Sequence, residues 1–165
     1  MIVYHGSTEI IKNPDVVHSK KYLDFGRGFY ITTFENQAKK WAVRKGMRQE
    51  KAAIVNVYEL AEEWDDFNVL SFEKENEKWL DFVCACRKGQ PLNKEYDIII
   101  GNVADDDVFK TVDMYFRPLI NDFLRKMAKF RHQENQDVSA GTRIRFFIDK
   151  PAAMISFPRA VIKYL

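Results

Sequence analysis

Two N-terminal segments constrain this chain most: Val3-Tyr4-His5-Gly6-Ser7, and then Asp24-Phe25-Gly26-Arg27-Gly28-Phe29-Tyr30-Ile31-Thr32-Thr33. Ile2 to Tyr4 read as a short strand that delivers His5 and Gly6. Gly26 and Gly28 let backbone approach closely, and the ring of Tyr30 can stack on a flat ligand. Brought together, the two segments predict a pocket for a planar polar ring. In it His5 donates a hydrogen bond to a ligand hydroxyl, and the Gly6 backbone holds an amide in the ring plane. The plainer readings are a hydrogen-bonded strand-end histidine and a core tyrosine beside a tight turn. Gly26-Arg27-Gly28 is not a dinucleotide fingerprint, because the third glycine and its strand-to-helix context do not fit, and no Lys-Ser or Lys-Thr ending marks a phosphate-binding loop.

Residues 8–23 carry Pro14 and no sustained period, which suits a loop with one short helical turn. Thr32 and Glu35 have capping-box spacing, and Ala38, Trp41 and Ala42 supply one apolar helix face before Gly46. The N-terminal turn of that helix can favour a phosphate or carboxylate. Ala53 to Tyr58 predicts a strand, 73–88 a helix, and Tyr96 to Gly101 a buried strand. Asp105 or Asp106 can cap a helix carrying Val108, Phe109, Val112, Tyr115 and Phe116, and a second helix follows from Pro118 to Phe130. After a polar stretch at 131–141, Arg143 to Ile148 alternates as a strand, and Met154 to Phe157 and Ala160 to Tyr164 can add terminal strands. The fold class is α+β, as one domain spanning 1–165.

An apolar fraction of 46% with 13 phenylalanines excludes global disorder. The formal charge of +2 comes from 26 basic and 24 acidic side chains and does not predict a broad nucleic-acid surface. No membrane span or classical signal segment is present, so a cytoplasmic location is the default, with secretion lacking a classical signal left open. Cys84 and Cys86 are two apart in a helix, so they share no face and read as structural. His18 and His132 have no convincing ligand partners, and Asp105-Asp106-Asp107 fits helix capping, so no metal is expected.

In order, Tyr4-His5-Gly6-Ser7, then Phe25-Gly26-Arg27-Gly28-Phe29-Tyr30 and the helix with Ala38 and Trp41, resemble the ADP-ribosyltransferase superfamily. The likeness is to its histidine–tyrosine branch, with the poly-ADP-ribose polymerases and diphtheria toxin. A closer resemblance through nearly the whole chain is to the bacterial domain of unknown function 3990. It rests also on Gln37-Ala38, Trp41-Ala42 and the run from Tyr96 to Asp106. The resemblance implies two small packed sheets forming a cleft, with flanking helices, and NAD as co-substrate. It also implies that His5 contacts the nicotinamide ribose, that Gly6 holds the carboxamide with help from Ser7, and that Tyr30 stacks on nicotinamide. Tyr22 would form part of the opposite wall, and Gly28 would line the site with Arg27, which could contact a phosphate. The implied activity is mono-ADP-ribosylation by a bacterial toxin of an acceptor that is protein or nucleic acid, with a cognate antitoxin as a further partner. The alternative is a silent NAD or ADP-ribose binding and interaction module.

The sequence departs from its relatives at the third signature position, usually glutamate or glutamine, where alignment of Phe146 and Met154 to Phe157 places Arg143. Arginine opposes a nearby cation, although it can bind a pyrophosphate or an anionic acceptor. Glu134, Asp137 and Asp24 are carboxylates that could supply the missing charge, with solvated loop charges as the plainer reading. Gln136 could orient an acceptor.

Overall fold

A computed structural model describes residues 1–74, 76–102, 144–148 and 160–164. The strands are β1 (Ile2–Ser7), β2 (Phe29–Thr32), β3 (Ala53–Glu59), β4 (Val69–Ser71), β5 (Ile98–Asn102), β6 (Ile144–Ile148) and β7 (Ala160–Tyr164). Two α-helices, α1 (Glu35–Gln49) and α2 (Glu77–Arg87), and a 3-10 turn at Leu92–Glu95 complete the described elements. The strand order is β4-β5-β6-β2-β1-β3-β7. The described register between β1 and β2 is one position, Tyr4 opposite Thr32. By contrast β1 pairs with β3 along its whole length, from Ile2↔Glu59 to Ser7↔Ile54. The fold is therefore α+β with two small sheets, β4-β5-β6-β2 and β1-β3-β7, joined at Tyr4 and Thr32.

Alternation along the strands sorts the core onto two faces. Val3, Phe29, Ile31, Tyr58, Leu60 and Ile98 cluster on one. On the other, α2 packs Trp79, Leu80, Val83 and Cys84 against Phe25 and Ile99, with Tyr30 at the edge. Also on this second face, α1 lays Ala38 and Ala42 over Tyr4, Ala53 and Val55. Asn76 caps α2 by accepting from the Trp79 N–H at 3.0 Å, as its position before an apolar run favours. β4 and β5 are parallel and are connected through α2, the crossover such a pair requires.

Several boundaries differ from the sequence reading. β1 continues through Ser7 because His5, Gly6 and Ser7 all find partners on β3. Thr32 is not a helix cap: it lies in β2, its hydroxyl accepts from the Phe34 N–H at 3.2 Å, and Phe34 stands at the N-cap without a side-chain bond. Trp41 is 45% exposed, because the inward stripe of α1 is Ala38, Ala42 and Gly46 at successive i, i+4 positions. Gly46 does not end the helix. A Cβ there would lie 2.7 Å from the Lys51 carbonyl, so packing of the following turn selects glycine inside α1. Residues 8–28 form turns and bends without a helix, and β4 had no strand signal in the sequence. The capped helices expected over 105–130 and the strand at Met154 to Phe157 lie outside the described residues.

Candidate functional site at the junction of the two sheets

His5 crosses the junction. Its Nδ1 lies 2.6 Å from the backbone carbonyl of Tyr30 on β2, and its ring stacks on Phe29 at 4.6 Å between centroids and 20° between planes. A carbonyl only accepts, so Nδ1 carries the proton. Burial holds the imidazole pKa down at about 4, the Tyr30 carbonyl opposing and Lys45 adding to the fall. At neutral pH the ring is thus uncharged and its Nε2 carries a lone pair. The sequence reading made His5 a donor to a ligand hydroxyl; this tautomer makes Nε2 an acceptor instead.

Gly6 faces the helix layer. A Cβ there would sit 2.2 Å from the Ala38 carbonyl oxygen and 2.9 Å from the Ala42 nitrogen, so α1 rests directly on the bare backbone. Close helix packing accounts for the missing side chain before any ligand is considered. Ser7 is buried at 2% exposure, and its hydroxyl accepts from the Glu9 N–H and from Lys45 Nζ, each at 3.4 Å.

Tyr30 follows Phe29 in β2, so its ring points to the face opposite the His5 imidazole. The hydroxyl donates to the Gly26 carbonyl at 2.6 Å and accepts from the Phe25 N–H at 3.1 Å. Tyr30 therefore braces the glycine segment with its ring and holds His5 with its carbonyl.

The remaining residues of that segment are tied into the protein. Arg27 donates to the carbonyls of Val16 at 3.1 Å and Val17 at 2.5 Å, which pins the preceding loop. The Gly28 N–H donates to Ser19 Oγ at 3.1 Å. Asp24 is buried and forms an ion pair with Arg87 of α2, whose Nε lies 2.9 Å from Oδ1. The solvated-charge reading of Asp24 is thus replaced by a paired, buried one. Tyr22 is 66% exposed and lies over Gly89 beyond the end of α2. Glu134, Gln136, Asp137 and Arg143 lie outside the described residues.

A family model described as "Protein of unknown function (DUF3990)" matches residues 1–143, most of the chain. The chain belongs to the DUF3990 family. No curated protein and no solved structure matches it. In this DUF3990 chain the matched span holds both segments of the junction and ends immediately before β6, which sits between β2 and β5. Among the described residues no group of three or more His, Cys, Asp or Glu could hold a metal ion. No described helix is long and apolar enough to cross a membrane. His18 pairs with Asp15 at the surface. Cys84 and Cys86 are both buried and form no disulfide, and burial pushes the Cys86 thiol up to about 12, as suits structural cysteines.

Sequence reasoning missed Phe29 as the partner of His5, Arg87 as the partner of Asp24, and Lys45 beside Ser7. Only Lys45 had a local signal. It follows Ala38 and Ala42 along the face that packs on β1, so its long side chain can reach the strand's end.

Proposed function

We propose that this protein is an NAD-dependent mono-ADP-ribosyltransferase that binds the nicotinamide ribose at the junction of β1 and β2. One observation carries the reading: His5, the histidine of the transferase-like His-Gly-Ser segment, is held neutral with Nδ1 on the Tyr30 carbonyl. Its Nε2 can then accept a ribose hydroxyl proton. Gly6 offers backbone groups to the carboxamide, and Tyr30 keeps the glycine segment in place. In the reaction the bond between nicotinamide nitrogen and the ribose anomeric carbon breaks, nicotinamide leaves with the bonding pair, and an acceptor nucleophile attacks the oxocarbenium carbon and loses its proton. Negative charge near that carbon lowers the barrier.

A second reading, NAD or ADP-ribose binding without turnover, is favoured by the Asp24–Arg87 pair, which neutralises the buried carboxylate nearest in sequence to the glycine turn. Incubation with adenine-labelled NAD and a lysate, for wild type and His5→Ala, separates the two. Labelled acceptor and free nicotinamide that both vanish in His5→Ala support the transferase. NAD affinity without nicotinamide release supports the binding module. No affinity and no release across protein and nucleic-acid substrates overturns both. Gain of activity in Arg143→Glu would assign control of turnover to that position.

A further inference from the structure

Helix α1 carries a charge pattern that its packing does not require. Its 15 residues hold Lys39, Lys40, Arg44, Lys45 and Arg48 against one acid, Glu35, a charge of +4 in a chain whose total is +2. The inward stripe is Ala38, Ala42 and Gly46, and the opposite face is the ridge Lys40, Arg44 and Arg48, again at i, i+4 spacing. All three are exposed, and none forms an ion pair with any described residue. The Arg48 Nε donates to the Arg44 carbonyl at 3.3 Å, which lays that side chain back along the ridge. Like charges one turn apart destabilise a helix, so stability alone does not select this row.

A group of acids gathers on the other side of the sheets. Glu59, Glu62, Glu63, Asp65 and Asp66 lie at the end of β3 and in the loop after it. Trp64 and Phe67 of that loop pack against the cluster of Val3, Phe29 and Tyr58. α1 rests on the opposite face, over Tyr4 and Val55. The near-neutral total therefore hides a cationic face and an acidic one, and a whole-chain charge that predicts no broad nucleic-acid surface leaves room for a narrow one. Beside the ridge stands Trp41, half-exposed and one turn before Arg44.

We infer that the outer face of α1 binds single-stranded nucleic acid, with Lys40, Arg44 and Arg48 on successive phosphates and the Trp41 ring against a base. Four residues advance a helix by about 6 Å, a step comparable with that between neighbouring phosphates of an extended strand. The ridge thus matches a polyanion with a regular repeat. Arginine grips a phosphate through its planar fork, and an exposed aromatic beside a cationic track is the stacking platform that single strands use. A membrane surface fits less well, because a helix lying in lipid inserts its apolar side, and that side of α1 is buried on β1 and β3. An acidic polypeptide matches the cations but gives the indole no base to stack on. The surface is separate from His5, whose ring lies on the other face with Phe29, so it stands whether or not the NAD reading does.

The test is fluorescence anisotropy of a labelled single-stranded oligonucleotide of mixed sequence, as DNA and as RNA, with wild type and three variants. The triple variant Lys40→Gln, Arg44→Gln and Arg48→Gln removes the ridge, and Trp41→Leu removes the platform. A control triple, Lys12→Gln, Lys74→Gln and Lys78→Gln, removes the same charge from exposed positions elsewhere. The ridge variant should bind at least tenfold more weakly than wild type. Its slope of log affinity against log salt should be shallower by about 2, from about 0.7 per phosphate contact on a single strand. Trp41→Leu should lose about tenfold with the salt slope kept, and the control triple should lose little. No binding by wild type, or an equal loss in the ridge and control variants, overturns the surface. Polyglutamate and vesicles of anionic phospholipid are titrated alongside. Ridge-dependent binding of either in preference to the oligonucleotide, or oligonucleotide affinity indifferent to Trp41, overturns nucleic acid as the partner.

Discussion

The two helices cover the same face of the sheets by opposite means. α1 approaches β1 by removal of side chains: Gly6 is bare beneath it, and Ala38, Ala42 and Gly46 form its inward stripe. α2 approaches the other sheet by filling space, with Trp79 fully buried against Phe25 and the rings of Phe72, Phe82 and Tyr96 packed around them. The first arrangement is set by backbone and tolerates almost no added atom. The second is set by side chains that can shift. The strand beneath α1 carries Gly6 between His5 and Ser7, so the candidate site is built on the backbone least able to relax.

The comparison breaks most severely at the aromatic anchor. Trp79→Ala should cost about 3–5 kcal/mol in denaturant unfolding, the range for deleting a large buried ring. Gly6→Ala should cost about 3 kcal/mol, at the upper end for overpacking, because the new Cβ meets backbone atoms of α1. Equal stability of Gly6→Ala and wild type would mean that α1 is not seated on β1 as described.

His5 joins the two halves and gives a pH-dependent contrast. Its folded pKa of about 4 lies below the reference of 6.5, so the unfolded chain binds the proton more readily between these values. Its contribution is full above the unfolded pKa and is lost as pH falls through 6.5 towards 4. The loss amounts to roughly 3 kcal/mol, from about 1.4 kcal/mol per pKa unit. Unfolding of wild type and His5→Gln across that range should show the slope in wild type and a flatter curve in the variant. The smallest effect is expected for Gly101→Ala, about 1–2 kcal/mol. Its Cβ would meet the far end of the Phe25 ring at 2.8 Å and the Trp79 ring at 3.3 Å, side-chain atoms rather than the backbone that Gly6 faces. A cost equal to that of Gly6→Ala would erase the distinction between the two sides.

Much of this was legible in the chain. An apolar run located β3, alternation located β6, and β7 matches the terminal strand expected at Ala160 to Tyr164, each to within a residue, and the apolar spacing of α2 identified the Trp79, Leu80 and Val83 face. The His5–Tyr30 pairing was legible as proximity but not as geometry. Strand alternation decides that Phe29, not Tyr30, shares a face with His5, and that depends on register, which no local pattern reports. Gly46 misled for a related reason: a glycine demanded by a chain segment five residues later reads locally as a helix stop. The same limit hid the Asp24–Arg87 pair, whose members are far apart in sequence.

The central claim is that His5 presents an unprotonated Nε2 to a dinucleotide. Long-range proton–nitrogen correlation spectra of the imidazole at pH 7, without and with NAD, test it most directly. A neutral ring protonated at Nδ1, whose Nε2 resonance moves on addition of NAD, is the predicted result. A charged ring, a ring protonated at Nε2, or a resonance unmoved by saturating NAD would contradict it.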